Sequence, residues 1–245
     1  MNKTLIIPDV HGRTFWKSAL DTGRYEKVIF LGDYVDPYSF EGIDHLSAIS
    51  NFKDILSLKM IYRDQVILLL GNHDLSYLSD HYRDLAAGDR HDYEFEEELQ
   101  QLFRGWRGFF KLAHEENIGG KRYLFSHAGV TMPWLKQNNK IIGEPDAEHL
   151  NQLLDTKEGI NALAQVGRAR GGGYISGSIV WADIRELAIS NPLPNTYQIV
   201  GHSLQFDGPI IAEYFACLDC RAAFSIDGKG KMNPVTEILG YEDYL

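Results

Sequence analysis

The sequence predicts an α/β protein built around a largely parallel sheet, and two observations carry that prediction. First, one local pattern occurs five times: a short apolar run rich in β-branched residues and leucine is followed at once by a cluster of Asp, Asn, His and Gly. Second, helix-like segments separate the first three runs, as they do in βαβ crossovers. The 245 residues suit one sizeable domain, and we expect residues 1–245 to form it.

The five apolar runs are predicted to be buried strands. Open α/β sheets place their binding sites at the carboxyl ends of such strands, which is where the polar clusters fall. The runs are Leu5–Ile7, Val28–Leu31, Val66–Leu70, Tyr123–Phe125 and Ile199–Val200. Helices are predicted between the first three, at Thr14–Leu20 and at about residues 44–62.

The remaining chain predicts one long helix and a second sheet. Residues 92–114 carry aromatic and aliphatic side chains at three- and four-residue spacing, typical of an amphipathic helix that packs on a core. From about residue 197, short β-like runs alternate with Gly, Asp and Pro turns. The predicted strands are Gln198–Val200, Ile210–Cys217, Ala222–Ile226 and Val235–Leu239.

Composition excludes several classes of protein. An apolar fraction of 44% with 24% charged residues is typical of a compact globular chain. No apolar stretch has the length of a membrane span and the first residues lack the apolar core of a signal peptide, so no membrane partner and a cytoplasmic location are expected. The net charge of −10 disfavours nucleic acid as a general ligand. The oligomeric state stays open.

The two cysteines, Cys217 and Cys220, form a single C-x-x-C within an apolar segment. No second pair is present to complete a four-thiolate zinc site, so buried or half-buried free thiols are favoured over a redox or metal role.

The polar clusters supply the ligands of a dinuclear metal centre. Two metal ions a few ångströms apart need a bridging ligand, with oxygen and imidazole donors on either side. Asp9 and His11 are two residues apart, so in an extended loop both side chains can bind one ion. Asp33 follows a glycine at a strand end and is the natural bridging carboxylate. The second ion would be completed by donors that follow three other strands: Asn72, His127 and His202.

Five blocks in a fixed order carry a family resemblance. They are D-x-H-G at 9–12, G-D-x-x-D at 32–36, G-N-H-D at 71–74, S-H-A-G at 126–129 and G-H-S at 201–203. This order resembles the calcineurin-like metallophosphoesterases, and within them the phosphoprotein-phosphatase branch, which includes bacterial serine/threonine and diadenosine-tetraphosphate phosphatases. Five ordered blocks are far more specific than any single motif. The resemblance implies a four-layer α/β/β/α sandwich with two mixed sheets and the metals at the strand ends between them.

The resemblance also implies a role for each residue of the blocks. It makes Asp9, His11 and Asp33 ligands of one metal and makes Asp33, Asn72, His127 and His202 ligands of the other. His73 becomes the proton donor to the leaving oxygen, oriented by Asp36. A mixed ligand set of this kind suits Mn, Fe or Zn better than an all-oxygen magnesium site. We expect in-line attack on phosphorus by a hydroxide that bridges the two metals, without a phospho-enzyme.

Asn72 and one or more arginines are expected to bind the substrate phosphate, and the sequence leaves open which arginines these are. Members of the branch usually carry Arg directly after the second aspartate of G-D-x-x-D, and here that position is Pro37. Arg13 is a candidate substitute. An equally good interpretation is that Arg13 is an exposed surface residue without a role in binding. Arg168 and Arg170 lie upstream of a Val180–Asp183 block that resembles the branch's tryptophan–aspartate block. At least one of the two is expected to bind phosphate, and the sequence does not choose between them.

These observations predict a metal-dependent phosphatase. Phosphomonoesters, from phosphoprotein or small metabolites, are the favoured substrates, followed by dinucleoside polyphosphates and then diesters. A non-catalytic scaffold on the same fold is the alternative class. It is disfavoured because all six candidate ligands are present together with His73 and Asp36. The histidines outside the blocks are interpreted as surface or helix-face residues: His45, His81, His91, His114 and His149.

Overall fold

The computed structural model describes residues 3–238, and within them two β-sheets face each other. The strands are β1 (Lys3–Ile7), β2 (Lys27–Phe30), β3 (Val66–Leu69), β4 (Phe110–Lys111), β5 (Ala113–Ile118), β6 (Lys121–Ser126), β7 (Thr196–Val200), β8 (Ile210–Ile211), β9 (Phe215–Cys217), β10 (Phe224–Asp227) and β11 (Met232–Pro234). The α-helices are α1 (Phe15–Asp21), α2 (His45–Tyr62), α3 (Asn72–Leu78), α4 (Asp80–Ala86), α5 (Glu96–Gly105), α6 (Met132–Ile142), α7 (Ala147–Gln152), α8 (Lys157–Leu163) and α9 (Ile184–Ile189).

Both sheets are mixed. The first has the order β11-β10-β1-β2-β3-β4, with β1 to β4 parallel and with β10 antiparallel to both β1 and β11. The second has the order β5-β6-β7-β9-β8, in which β6, β7 and β9 are parallel and the outer pairs are antiparallel. Helices join β1 to β2, β2 to β3, β3 to β4 and β6 to β7, which is the usual crossover between parallel strands, whereas β7 and β9 are connected by loops and β8.

Alternation along the strands builds the layers. Successive side chains of a strand point to opposite faces of the sheet. In β1, Ile6 packs between the two sheets with residues such as Phe125, whereas Leu5 and Ile7 pack on the opposite face. Helices cover that face of the first sheet, and α9 covers the far face of the second through Leu187. The fold is therefore the predicted α/β/β/α arrangement of two mixed sheets with helices outside.

The predicted long helix over residues 92–114 is wrong in extent. Helix α5 ends at Gly105, and a turn of 3₁₀-helix spans Arg107–Phe109 before β4 and β5 begin. Glycine weakens a helix interior, and Gly105 and Gly108 both fall in this segment. Phe110 then pairs with Leu68 of β3, so its burial comes from the sheet and not from a helix face.

The strands beyond residue 197 are distributed over both sheets. The predicted strand Ile210–Cys217 is a hairpin, β8 and β9, while β10 and β11 extend the first sheet instead of the second. Within residues 3–238 the last strand is Met232–Pro234. Residues 235–238 are not strand, and Leu239 of the prediction lies outside the described residues.

Several smaller sequence-based expectations are also resolved by the fold. Cys217 and Cys220 are free and buried, as predicted. His91, expected at the surface, is instead buried and stacked on Tyr77, with ring centroids 4.5 Å apart. His114 lies on β5 and not on a helix. None of the helices in residues 3–238 combines the length and the apolar character needed to cross a membrane.

Candidate metal centre

The candidate metal centre lies where the strands of the two sheets end. The loops that follow β1 and β2 are tied together, since the backbone N–H groups of Val10 and His11 both donate to the carbonyl of Asp33, at 3.0 and 2.7 Å. The loops after β6 and β7 are joined in the same way by Gly201 N–H, which donates to the carbonyl of His127 at 2.7 Å. The backbone network therefore brings the sequence blocks to one place.

A first group of donors consists of Asp9, His11 and Asp33, whose ligand atoms all lie within 4.8 Å of one another. The Nδ1–H of His11 donates to the carbonyl of Val35 at 2.8 Å. The Nε2 lone pair is therefore directed inward. It lies 3.5 Å from Oδ2 of Asp33 and 4.0 Å from Oδ2 of Asp9.

A second group consists of Asp33, His127 and His202, again within 4.8 Å of one another. The Nδ1–H of His127 donates to the carbonyl of Leu31 at 3.0 Å, so its Nε2 also presents a lone pair. That nitrogen lies 3.4 Å from Oδ2 of Asp33 and 3.1 Å from both Asn72 Oδ1 and His202 Nδ1. One oxygen, Oδ2 of Asp33, thus belongs to both groups and stands between them.

The donor arrangement fits bound cations. In each group, lone pairs of nitrogen and oxygen converge in a buried volume where they would repel one another without a positive charge between them. Burial and the neighbouring charge of Asp33 raise the pKa of Asp9 to about 7. Burial lowers the pKa of His127, and burial together with the charge of Arg90 holds the pKa of His11 well below its usual range. Neutral imidazoles beside crowded carboxylates are the forms that bind metal.

Two glycines of the blocks are required by close approach. A Cβ on Gly71 would lie 2.0 Å from Oδ1 of Asp33, and one on Gly201 would lie 2.1 Å from Oδ1 of Asp9. The backbone is also strained here, because His11, Asp33, Asp36 and His202 all have positive φ although none is glycine. Strain of this kind persists where surrounding contacts impose it.

Asp74 supplies much of that constraint. This fully buried carboxylate accepts hydrogen bonds from the backbone N–H groups of Asp33, Tyr34 and Gly71, at 2.7, 3.0 and 2.8 Å. It therefore holds the loop after β2 against the start of α3. The sequence places Asp74 in the G-N-H-D block but does not indicate this structural role.

His73 and Asp36 form a dyad next to the metal centre. Nδ1 of His73 lies 2.7 Å from Oδ2 of Asp36, whose other oxygen accepts a hydrogen bond from the Tyr77 hydroxyl. Burial lowers the pKa of His73, but the charge of Asp33 and the hydrogen bond to Asp36 outweigh it and raise the pKa overall. A histidine held in this way can carry a proton into the pocket.

The three arginines singled out by the sequence lie in different environments. Arg170 lines the pocket, held by Asp183 at 3.0 Å and by the Ser203 hydroxyl at 2.7 Å. Arg13 is buried, and its guanidinium makes two hydrogen bonds to Glu41, at 2.8 and 2.9 Å. It does not line the pocket, nor does Arg168, which is exposed.

A fourth arginine, Arg90, enters the pocket from the loop between α4 and α5. Nη2 of Arg90 lies 3.1 Å from Nε2 of His73 and 3.5 Å from Nε2 of His11. The sequence offered no signal for it, since it lies outside every block. The pocket has a volume of about 580 Å³ and is lined by Asp9, His11, Asp33, Tyr38, Asn72, His73, Ala87, Gly88, Asp89, Arg90, Arg170, Trp181 and His202.

The fold and this cluster of donors define an α/β protein with a candidate metal centre between two sheets. The chain belongs to the calcineurin-like phosphoesterase family, whose model matches residues 3–205. Metallophosphoesterases use divalent metal ions, and the two donor groups described above are the candidate ligands for such ions in this chain.

The chain is also similar to individual proteins. It is 26% identical, over 226 residues, to a "probable serine/threonine-protein phosphatase" of Encephalitozoon cuniculi. The match covers 87% of this chain but only 47% of that protein, so the chain spans about half of its relative's length.

Solved structures share the fold. A protein serine/threonine phosphatase from Saccharomyces cerevisiae superposes with a TM-score of 0.51 at 14% identity, covering 95% of this chain and 79% of that one. A hypothetical protein from Pyrococcus horikoshii also gives 0.51, at 12% identity, covering 100% of this chain and 91% of that one.

Proposed function

We propose that this protein is a dinuclear metal-dependent phosphatase that hydrolyses phosphomonoesters. The observation that carries the proposal is the shared position of Asp33 Oδ2, 3.5 Å from His11 Nε2 and 3.4 Å from His127 Nε2. Two imidazoles close to one carboxylate oxygen suit two ions with a common ligand.

The residues that would hold the ions follow from the two donor groups. Asp9, His11 and Asp33 would bind one, and Asp33, Asn72, His127 and His202 the other. The mixed oxygen and nitrogen donors favour Mn, Fe or Zn. When bound, such ions lower the pKa of water and stabilise charge on phosphoryl oxygens.

The chain's own residues would complete the reaction around the phosphoryl group. His73, oriented by Asp36 at 2.7 Å, would donate a proton to the leaving oxygen. Arg170, fixed by Asp183 and Ser203 at the edge of the pocket, would bind phosphoryl oxygens together with the amide of Asn72. Arg13 has no role here because it does not line the pocket and its guanidinium is hydrogen-bonded to Glu41.

A monoester suits the pocket better than a long polyanion. Its phosphoryl group carries two negative charges and gains most from metal ions and guanidinium groups together. The net charge of −10 would repel an extended nucleic acid. The similarity to the phosphatase of Encephalitozoon cuniculi supports a phosphoprotein among the candidate substrates.

A second candidate substrate is a dinucleoside polyphosphate. The aromatic ring of Trp181 lines the pocket, and such a ring can stack on a nucleobase.

One activity panel with Mn²⁺ supplied tests the proposal. It compares a nitrophenyl monoester, a bis-nitrophenyl diester, a phosphothreonine peptide and diadenosine tetraphosphate. We expect the highest kcat/KM for a monoester, and activity that disappears with a chelator and returns with Mn²⁺. A higher kcat/KM for the diester would refute the substrate class, and selectivity for the dinucleotide would favour the second candidate. Absence of metal and of any metal-stimulated activity would instead favour a scaffold.

A further inference from the structure

Arg90 is fixed against the segment that bears Pro37. Its Nη1 donates to the carbonyl of Asp36, the residue directly before that proline, at 2.7 Å. Its guanidinium lies over the ring of Tyr38, the residue directly after it, 3.7 Å from the ring centroid. A planar guanidinium combines a face that stacks on an aromatic ring with N–H groups at its edge. The loop containing residues 87–92 therefore supplies a guanidinium beside a position where the chain itself has a proline.

The charge of Arg90 distinguishes it from the other arginines near the site. Arg13 forms an ion pair with Glu41, and Arg170 forms one with Asp183. Among the residues that the structure describes, no carboxylate forms an ion pair with Arg90, whose partners are a carbonyl, an aromatic ring and imidazole nitrogens. A half-buried cation without an acidic partner is poised to bind an anion.

The direction of Arg90 locates that anion. Its Nη2 contacts Nε2 of His73, at 3.1 Å, and lies 3.5 Å from Nε2 of His11. Under the proposed function, a reacting phosphoryl group must lie between the metal centre and His73. Nη2 already points into that space.

We propose that Arg90 is a substrate-contacting residue that donates hydrogen bonds to the non-bridging oxygens of the phosphoryl group and thereby selects the doubly charged monoester over the singly charged diester. This inference rests on the proposed function. The contact to His73 is given up when the phosphoryl group binds, and Asp36 O and the Tyr38 ring keep the guanidinium in place.

The test compares Arg90→Ala and Arg90→Lys with Arg24→Ala, an exposed arginine in the turn between α1 and β2 that does not line the pocket. Loss of a charge-assisted hydrogen bond predicts a fall of roughly 10- to 100-fold in kcat/KM for the nitrophenyl monoester. The diester, with one charge fewer, should lose less than about 5-fold. Lysine keeps the charge but not the planar pair of donors, so its value should lie between those of alanine and wild type.

A binding measurement separates this inference from the proposed function. Titration of the Mn²⁺-loaded protein with inorganic phosphate should show roughly 10-fold weaker binding for Arg90→Ala, with unchanged metal content and unchanged binding by Arg24→Ala. Equal losses on monoester and diester, or phosphate binding that does not change, would make Arg90 a structural residue and overturn the inference. If the wild type hydrolyses neither ester, the proposed function fails, and the phosphate titration still decides the role of Arg90.

Discussion

Two parts of the chain meet in the pocket and are built in different ways. The sequence blocks lie at strand ends, where backbone hydrogen bonds, two closely packed glycines and the buried Asp74 fix the side chains. The loop containing residues 87–92 connects two helices, α4 and α5, and does not follow a strand. It is held by polar and aromatic contacts, such as the hydrogen bond from Asp92 N–H to the Tyr77 hydroxyl at 2.7 Å. Under the proposed function, the metal ligands therefore lie on a rigid frame, whereas a charged group that contacts substrate comes from a loop.

We expect the strongest loss of metal binding and activity when the shared carboxylate of Asp33 is replaced. Asp33→Asn should abolish binding of both ions, because its Oδ2 is the oxygen common to both donor groups. His11→Asn should chiefly weaken one ion. Loss of a residue that only hydrogen-bonds a metal ligand typically costs about 10- to 100-fold in activity. Activity of the Asp33 variant should therefore fall by more than about 100-fold, because a ligand itself is changed. Elemental analysis checks the assignment, and two ions at wild-type occupancy in Asp33→Asn would rule out the bridge.

The next effect concerns the proton donor. His73→Asn should reduce turnover by on the order of 10²- to 10⁴-fold for an alkyl phosphate, whose leaving group needs protonation. A nitrophenyl ester needs little protonation and should lose much less. Steady-state kinetics on both esters check this, and equal losses would leave His73 as a positioning residue.

A smaller loss of stability and metal affinity is expected for Asp74, which accepts hydrogen bonds from the backbone of the Asp33 loop. Asp74→Ala leaves three buried backbone N–H groups without an acceptor and should cost roughly 2–4 kcal/mol of unfolding free energy in urea. Metal affinity should fall about 10- to 100-fold as the Asp33 loop loosens. Asp54→Ala, which removes an exposed carboxylate paired with Lys17, is the matched control and should change stability by less than about 1 kcal/mol. Equal stability of the two variants would mean that Asp74 does not support the loop.

The smallest loss of stability is expected for Tyr77, whose hydroxyl connects the sequence blocks to the loop containing residues 87–92. The hydroxyl of Tyr77 donates to Asp36 and accepts from Asp92 N–H, so Tyr77→Phe removes both hydrogen bonds. We expect a loss of about 1–3 kcal/mol in stability. Tyr25→Phe is the control, since its hydroxyl contacts the exposed Thr22 side chain. If the two variants were indistinguishable in urea denaturation, the Tyr77 hydroxyl would not couple the dyad to the loop.

The location of the blocks at strand ends could be predicted from the sequence, because it depends on residues that are neighbours along the chain. Gly71 and Gly201 stand where a side chain would collide with a carboxylate, and the polar residues follow directly on apolar runs. The extent of α5 was not predictable from periodicity, because the burial of Phe110 comes from pairing with β3, far away in sequence.

For the same reason, the sequence singled out Arg168 and Arg170 as candidates but could not say which arginine enters the pocket. The side chain of Arg13 turns to Glu41, and that of Arg170 turns to Asp183, so distant partners decide the direction of each. Arg90 contacts Asp36, which is 54 residues away along the chain, and no motif links the two.

Under the proposed function, Asp33 joins two ions in one centre. Calorimetric titration of metal-free protein with Mn²⁺, with elemental analysis of the product, tests it most directly. We expect two bound ions per chain in the wild type and the loss of both in Asp33→Asn. A wild type that hydrolyses the monoester with a single bound ion would contradict it.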